Sequence, residues 1–576
     1  MEYNSLTFNK TNNDDPHCQI SFDGEGGDIW EAVKKGNIDV VKWYLDHAWD
    51  AKTLRDGQTL VIVALESSQH EVLKFLALDK RIDLPELHRT VILKDIARFE
   101  VAVDTDDNLD FQYQDRVSAL MLAAFNGNID FIIKLLKKGA NINIVSKKYD
   151  SSILHFAARG GQIETIKFLQ SQGLNISTKT KDNWTVLHSA ILGGHIEVVK
   201  FLHEHGADVN VKTKDGWTAL HSAVQGGYIE IVKFLHEHGA SINVAKEKNG
   251  WTVLHSAARI GHLKIVKFLY EHGADINAET QSNITALYIA AENGHIEVVK
   301  FLHEHGANIN LKTEDGWTAM LSAAKNGYIK IVKFLYEHGA DIYIKTQSNR
   351  TALHISAQNG HIEVVKFLYE HGADINAETT DGRTVLHVAA QNGHIEVIKF
   401  LQLQGLNINT KTKDGRTVLH VAAQSGNLKV IKFLQLQGLA INAETKDGWT
   451  VLHVAAENGH IEVIKFLYEH GADINAETTD GKTVLHVAAQ NGHIEVVKFL
   501  YEHGADIDTK TRSKRTALHD AAQNGHVEVV KFLYEHGADI DAKTQKRKTA
   551  LYIAAHRGHT EIVKFLQECG ADQNIN

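Results

Sequence analysis

The chain has 576 residues, 43% of them apolar and 23% charged, with a formal net charge of −10, 36 histidines, two prolines and two cysteines. That composition excludes a disordered or collagen-like chain, and so small a charge for the length excludes wholesale binding to nucleic acid or to an anionic membrane. A single core stops growing at about 250–300 residues, so a chain this long is either several domains or a repeat array.

Cys18 and Cys569 lie near opposite ends of the chain and outside any metal-ligand spacing, which implies neither a disulfide framework nor a zinc site. A reducing, cytoplasmic location is the expectation. The opening residues hold no basic stretch followed by an apolar core, and no apolar run approaches the roughly 18 residues that span a bilayer. Export without a cleaved leader is compatible with the same sequence.

In chain order, residues 1–27 carry no periodic pattern and are expected to be flexible. Asp28–His47 (DIWEAVKKGNIDVVKWYLDH) and Gln58–Leu78 (QTLVIVALESSQHEVLKFLAL) each read as a pair of short amphipathic helices. Residues 28–84 are assigned on that basis as a divergent N-terminal cap. From Pro85 to Asp115 the pattern breaks: Val61 and Leu120 occupy equivalent places but stand 59 residues apart, where one period needs 33. Residues 85–116 therefore read as an insertion or linker of about one helix plus a loop. Its stretch Val101–Asp115 (VAVDTDDNLDFQYQD) is acidic and aromatic, either an interaction segment or a solvated loop.

From residue 117 to 576 one unit recurs. Its leucine slot runs through Leu120, Leu154, Leu187, Leu220, Leu254, Leu287, Met320, Leu353, Leu386, Leu419, Leu452, Leu485, Leu518 and Leu551, at a spacing of 33 or 34. In the unit that starts at Asp381, Thr384 is placed to cap a helix that stops at Gly393, a residue suited to a left-handed C′ position. A second helix follows with Ile395, Val397, Ile398, Phe400 and Leu401 apolar on two sides, leaving Glu396 and Lys399 on the polar face. It ends at Gly405, and NINTKTKDG supplies the turn residues of a hairpin-like finger. One such unit cannot bury its apolar faces, whereas a stack can.

The pattern T-x-L-H-x-A-A-x-x-G-H-x-E-V-V-K-F-L-x-x-x-G-A-x-x-N at this period resembles the ankyrin repeat. The resemblance implies an all-α solenoid of stacked helix-turn-helix units with β-hairpin-like fingers, with fourteen repeats in residues 117–576. It also implies a non-catalytic scaffold that binds partner proteins in the groove between its fingers and its first helices. Val385 and Ala352 stand where the family pattern T-P-L-H has proline, so the fixed φ of a proline at the helix start is absent here.

Thirty-six histidines raise the question of a metal, but most of them fall in three fixed slots, as at His188, His195 and His205. Equivalent rings on adjacent units should lie about 8–10 Å apart, too far to share one ion, and the resemblance gives the T-x-L-H imidazole a structural role in tying turns together. No metal or cofactor is expected. His203-Glu204-His205 lacks the second zincin histidine, since Ala207 stands there, and Gly481-Lys482-Thr483 belongs to a finger and lacks the earlier glycine of a phosphate loop, where Ala476 stands. No nucleophile elbow, carboxylate pair or kinase signature occurs. An enzymatic reading would have to place its activity in residues 1–116.

Since the scaffold slots barely vary, specificity is expected where the units differ. The finger residue just before Thr is Trp184, Trp217, Trp251, Ile284, Trp317, Arg350, Arg383, Arg416, Trp449, Lys482, Arg515 and Lys548. Trp and Arg are enriched at binding hot spots, and apart from Ile284 these residues are assigned as partner-binding; the alternative is that each Trp packs only on its own hairpin. A second variable slot ends the first helix, as at Glu292-Asn293, Gln391-Asn392 and Gln490-Asn491. The fingers KTRSKR (Lys510–Arg515) and KTQKRK (Lys543–Lys548) form a basic patch suited to an acidic partner segment. The chain is expected to be a monomer. Near-identical duplicated repeats in an Asn-, Lys- and Ile-rich chain also resemble ankyrin proteins of host-associated microbes that act on host proteins.

Overall fold

The computed structural model describes residues 28–47, 54–55, 58–246 and 249–571; the segment 1–27, expected to be flexible, lies outside them. The described residues hold 34 helices, of which the last 28, from Ala119 to Glu568, form the fourteen pairs expected from the repeat. The chain divides into an N-terminal unit, Met1–Ala257 with Glu271–Ala274, and a C-terminal unit, Ala258–Tyr270 with Asp275–Asn576. Within each unit, first helices pack on first helices of the neighbouring repeat, and second helices pack on second helices.

Sequence explains the local structure of a repeat. Thr384 sits in extended backbone before the helix Val385–Gln391 and forms a capping box with His387, in which the histidine replaces the usual acidic partner. Val385, Leu386, Ala389 and Ala390 are fully buried, the alanines being small enough for neighbouring first helices to approach closely. Gly393 adopts φ 81° as expected, and the second helix, Ile395–Leu403, buries Val397, Ile398 and Leu401. On its exposed face Lys399 meets Glu396 at 2.8 Å, a surface pair of small energetic weight.

Four hydrogen-bond ladders join one repeat to the next. His387 Nε2 lies 3.3 Å from the carbonyl of Arg416, 29 residues on. Lys413 N–H donates to the Asp381 carbonyl at 3.1 Å, linking adjacent fingers. In the second histidine slot, His394 Nε2 reaches back to the Gln358 carbonyl at 3.0 Å. Asn442 Nδ2 donates forward to the Gly471 carbonyl at 3.0 Å. The fingers are correspondingly spare: the described residues hold one antiparallel hairpin, Gln112–Tyr113 with Val117–Ser118, and otherwise isolated bridges such as Glu477 with Thr483.

Residues 85–116 are not an insertion of one helix plus a loop. They form two helices, Glu86–Leu93 and Ile96–Thr105, followed by the Gln112–Ser118 hairpin. Leu87-His88 stands 33 residues before Leu120-Met121, and Pro85 takes the place of the capping Thr. His88 Nε2 lies 3.1 Å from the carbonyl of Val117, again 29 residues on, so this is a full repeat without its Thr signature. The irregularity lies before it, where the finger between Leu78 and Pro85 is cut short. Arg89 ties down that shortened link, donating to the carbonyls of Ala77, Asp79 and Ile82. The acidic, aromatic stretch is thus the end of a helix and one strand of a finger.

Two glycines, Gly339 after a second helix and Gly360 after a first helix, make a comparative prediction. Gly339 and Gly360 both have positive φ, but a Cβ on Gly339 would meet nothing within 4 Å, whereas one on Gly360 would lie 2.5 Å from His394 Nδ1. Gly339→Ala should cost about 1 kcal/mol from backbone strain, and Gly360→Ala roughly 1–3 kcal/mol more, because the ring of the next repeat is displaced. Urea titrations followed by circular dichroism read the difference; equal midpoints for the two variants would contradict this packing.

The capping histidines make a second one. In His155, His221, His354, His387, His420 and His453, Nε2 faces a carbonyl and must carry the proton, so Nδ1 accepts from the backbone N–H of the capping Thr or Ser and the ring is neutral. Burial lowers His155, His188, His221, His354, His387, His420 and His453 from 6.5 to about 4. The unfolded chain takes up these protons first as pH drops, so stability is complete above pH 6.5, falls from 6.5 towards 4 and levels off below, by ~3 kcal/mol per histidine. Thermal midpoints at pH 7.5 and 5.0 should therefore differ markedly, the lower pH being the less stable, before most carboxylates titrate.

Candidate protein-binding surface

All but one of the assigned residues of the variable finger slot are held in the same way by the finger itself; the exception is Trp251, whose N–H donates to Asn249 Oδ1 at 3.1 Å and whose carbonyl accepts from Lys246 N–H at 3.0 Å. Thr180 N–H donates to the Trp184 carbonyl at 2.9 Å and the Trp184 N–H returns a bond to Thr180 Oγ1 at 3.2 Å. The same pair of bonds holds Trp217, Trp317, Arg350, Arg383, Arg416, Trp449, Lys482, Arg515 and Lys548. This shared pair of bonds fixes the backbone direction of the slot in those repeats, and all eleven assigned residues are half-buried. The Lys482 finger includes Gly481-Lys482-Thr483 and is a turn of this kind.

The aromatic members rest partly on their own repeat. Trp184, Trp217, Trp251 and Trp449 lie 4.9, 5.5, 5.5 and 5.8 Å from the capping histidine four residues on. Trp251 also donates its indole N–H to Ser256 Oγ at 2.9 Å. Trp317, whose repeat has Leu321 in place of the histidine, has Lys325 Nζ 5.8 Å above its ring. Lys246 Nζ sits 3.6 Å over Trp217. Such packing fixes the rings while leaving each of them only half-buried.

The basic members meet the second variable slot. Arg383 donates to Gln391 Oε1 at 2.8 Å, Arg416 to Gln424 at 3.1 Å and Lys482 to Gln490 at 3.1 Å. Arg383 and Arg416 also pair with Asp381 and Asp414 of their own fingers, at 2.9 and 3.0 Å. Asn392, expected beside Gln391 as a polar contact, instead donates to the Val388 carbonyl at 2.9 Å and closes its own helix. Arg350 differs: among the described residues its guanidinium has no hydrogen bond or ion pair, and burial together with the Arg383 charge holds its pKa below the usual value. Arg515 pairs with the buried Asp520 at 2.6 Å, and Lys548 lies 4.7 Å over Tyr552. Between the last two fingers, Arg515, Lys546, Lys548, His556 and Arg557 surround an open cavity of about 350 Å³.

A further group was not legible as a site. Ile62, Leu65, Glu66, Arg116, Tyr149, Phe156, Arg159, Trp184 and Leu192 line a cavity of about 280 Å³ in the N-terminal unit. Arg116 is 4% exposed and pairs with Glu66, and it also reaches the Tyr149 hydroxyl at 3.2 Å. Arg159 occupies the first-helix slot that Gln391 holds elsewhere, so comparing that slot in this repeat would have exposed it.

The three histidine slots serve structure. Besides the capping and bridging rings, His205 packs on Phe201 at 4.1 Å and faces its carbonyl at 2.7 Å, closing the second helix. Among the described residues no three His, Cys, Asp or Glu side chains converge as ligands of one ion, and no helix is long and apolar enough to cross a membrane.

Family models agree with this architecture. One described as ankyrin repeats (3 copies) matches overlapping stretches from residue 87 to 576, and another, ankyrin repeats (many copies), matches residues 29–77. The chain is similar to an ankyrin repeat and KH domain-containing protein of Caenorhabditis elegans, 32% identical over 157 residues, which is 26% of this chain and 6% of that one. It is also similar to an ankyrin repeat protein of Rickettsia felis, 29% identical over 134 residues, 22% of this chain and 49% of that one. The chain thus spans half or less of the length of these relatives. Ankyrin repeats are generally protein-interaction modules, and proteins built of them are generally not enzymes. From the Asp28 helix pair to the last repeat, the chain belongs to the ankyrin repeat family.

Proposed function

We propose that this protein is a non-catalytic scaffold that binds partner proteins on the face formed by its fingers and first helices. The observation that carries the reading is the contact between the two variable slots, finger to helix, in Arg383–Gln391, Arg416–Gln424 and Lys482–Gln490. Within the C-terminal unit, the residues that distinguish one repeat from the next thereby share one face. In the N-terminal unit the half-buried rings of Trp184, Trp217 and Trp251 serve as apolar contacts already fixed before binding, which lowers the entropy lost on association. In the C-terminal unit Arg350, Arg515 and Lys548 supply positive charge for an acidic segment of a partner. The near-identical repeats support a second reading, action on the proteins of a host cell, which detecting the chain in host cytoplasm tests.

Two outcomes are expected. Alanine at Trp184, Trp217 and Trp251 together should abolish partner capture in affinity pull-down with mass spectrometry, while helical circular dichroism stays unchanged; undiminished capture removes these fingers from the binding face. Replacing Lys546, Arg547 and Lys548 with Gln should weaken binding of a polyglutamate probe and flatten its dependence on salt, and a binding curve identical to that of the unaltered chain would remove the basic patch.

A further inference from the structure

We propose that the cavity lined by Glu66, Arg116, Tyr149, Phe156, Arg159 and Trp184 binds one carboxylate carried on an apolar stretch of a partner peptide. The proposal rests on the reading of the finger-and-helix face as the protein-binding surface and names the chemistry that one part of that face takes.

Charge is the first argument. Glu66 is already matched: one oxygen accepts from Arg116 and the other from Gln58 at 2.7 Å. Arg116 is therefore neutralised. Arg159 is not, since its NH2 donates only to the Glu66 backbone carbonyl, and its Nε, closed off from solvent, has no hydrogen-bond partner among the described residues. The other carboxylate at the rim, Asp182, is exposed and lies 3.8 Å from Lys214 Nζ. One half-buried guanidinium that shares the Glu66 charge with Arg116 and has no carboxylate of its own is left in a largely apolar cavity, an arrangement with an energetic cost, and burial lowers its pKa accordingly. A carboxylate supplies one negative charge and a planar pair of acceptors that matches the guanidinium fork. A doubly charged phosphate would exceed the single spare charge and meet Glu66.

Size and lining are the second argument. At about 280 Å³ the cavity lies at the lower edge of small-molecule sites, about 300 Å³, so it suits a side chain or a chain end more than a cofactor. Its walls are mainly apolar, with Leu65 and Leu192 beside the three aromatic rings, so the residues next to the carboxylate should be apolar too.

The test uses the full-length chain and three labelled nonapeptides of Leu and Phe with Gly-Ser ends: one with a central Glu and an amidated C-terminus, one with Gln there, and the Gln peptide with a free C-terminus. Fluorescence anisotropy should give at least about tenfold tighter binding of the Glu peptide than of its amidated Gln counterpart. Recovery of that affinity by the free C-terminus would assign a chain end as the preferred source, and its absence would assign a side chain. Arg159→Gln should erase the preference. Ser151→Phe, which fills the cavity from its rim and keeps both arginines, should abolish binding of all three peptides, and decides the matter if Arg159→Gln does not fold. Equal affinities for Glu and Gln, a preference that survives Arg159→Gln, or tighter binding of a phosphoserine peptide would overturn the proposal. Should it fall while the triple Trp variant still loses partner capture, the binding face stands without this pocket; capture that survives in the triple variant is the separate failure of the face itself.

Discussion

The neutral histidine of the T-x-L-H slot is the interaction on which the rest of the structure depends. One ring nitrogen closes the cap of its own first helix and the other holds the carbonyl of the next finger, as in His453 with Thr450 and Lys482. Local helix formation and inter-repeat stacking are therefore coupled through one side chain. The carbonyl it holds belongs to the variable finger residue itself, so the group that stabilises the stack also sets the direction of the side chains on the binding face. Such a ring can do this only when uncharged, because Nδ1 must accept while Nε2 donates. His188 departs from the pattern: its Nε2 has no hydrogen-bond partner among the described residues.

The remaining ladders have a similar division of labour. Asparagine and the second histidine slot bind carbonyls at the turns, which leaves the exposed tips of the fingers free to vary. That is why Trp, Arg, Lys and Ile can share one position without disturbing the repeat. Partial packing of these residues on their own repeat, as in Trp251 with Ser256 or Arg515 with Asp520, does not oppose a binding role. It fixes side chains that would otherwise lose rotamer freedom on association.

Much of the fold is legible because each repeat satisfies its own local rules: Thr before the first helix, Ala-Ala at the close contact, Gly at positive φ, and apolar pairs two sides deep in the second helix. The interval around Pro85 is hard to read in sequence because it has no Thr to mark Leu87-His88, although Leu87 stands one full period before Leu120. The anomaly was a shortened finger, and a deletion in one turn looks the same as an insertion in the next when only the ends are compared. The Asn that ends the first helix has a polar side chain suited to an outward contact in sequence, but its own helix has a carbonyl to satisfy, as Val388 shows for Asn392.

By itself the sequence determined the repeat, its period, the helix pairs, the structural character of the histidines and the slot in which repeats differ, since all of these follow from residues within one period of each other. Only the tertiary structure decided which variable residues meet. The Arg383 side chain reaches Gln391 within one repeat, but the cavity around Arg159 draws Glu66, Arg116, Tyr149 and Trp184 from successive repeats. Whether a half-buried charge there is matched depends on distances across the stack, and no local pattern of residues encodes that balance.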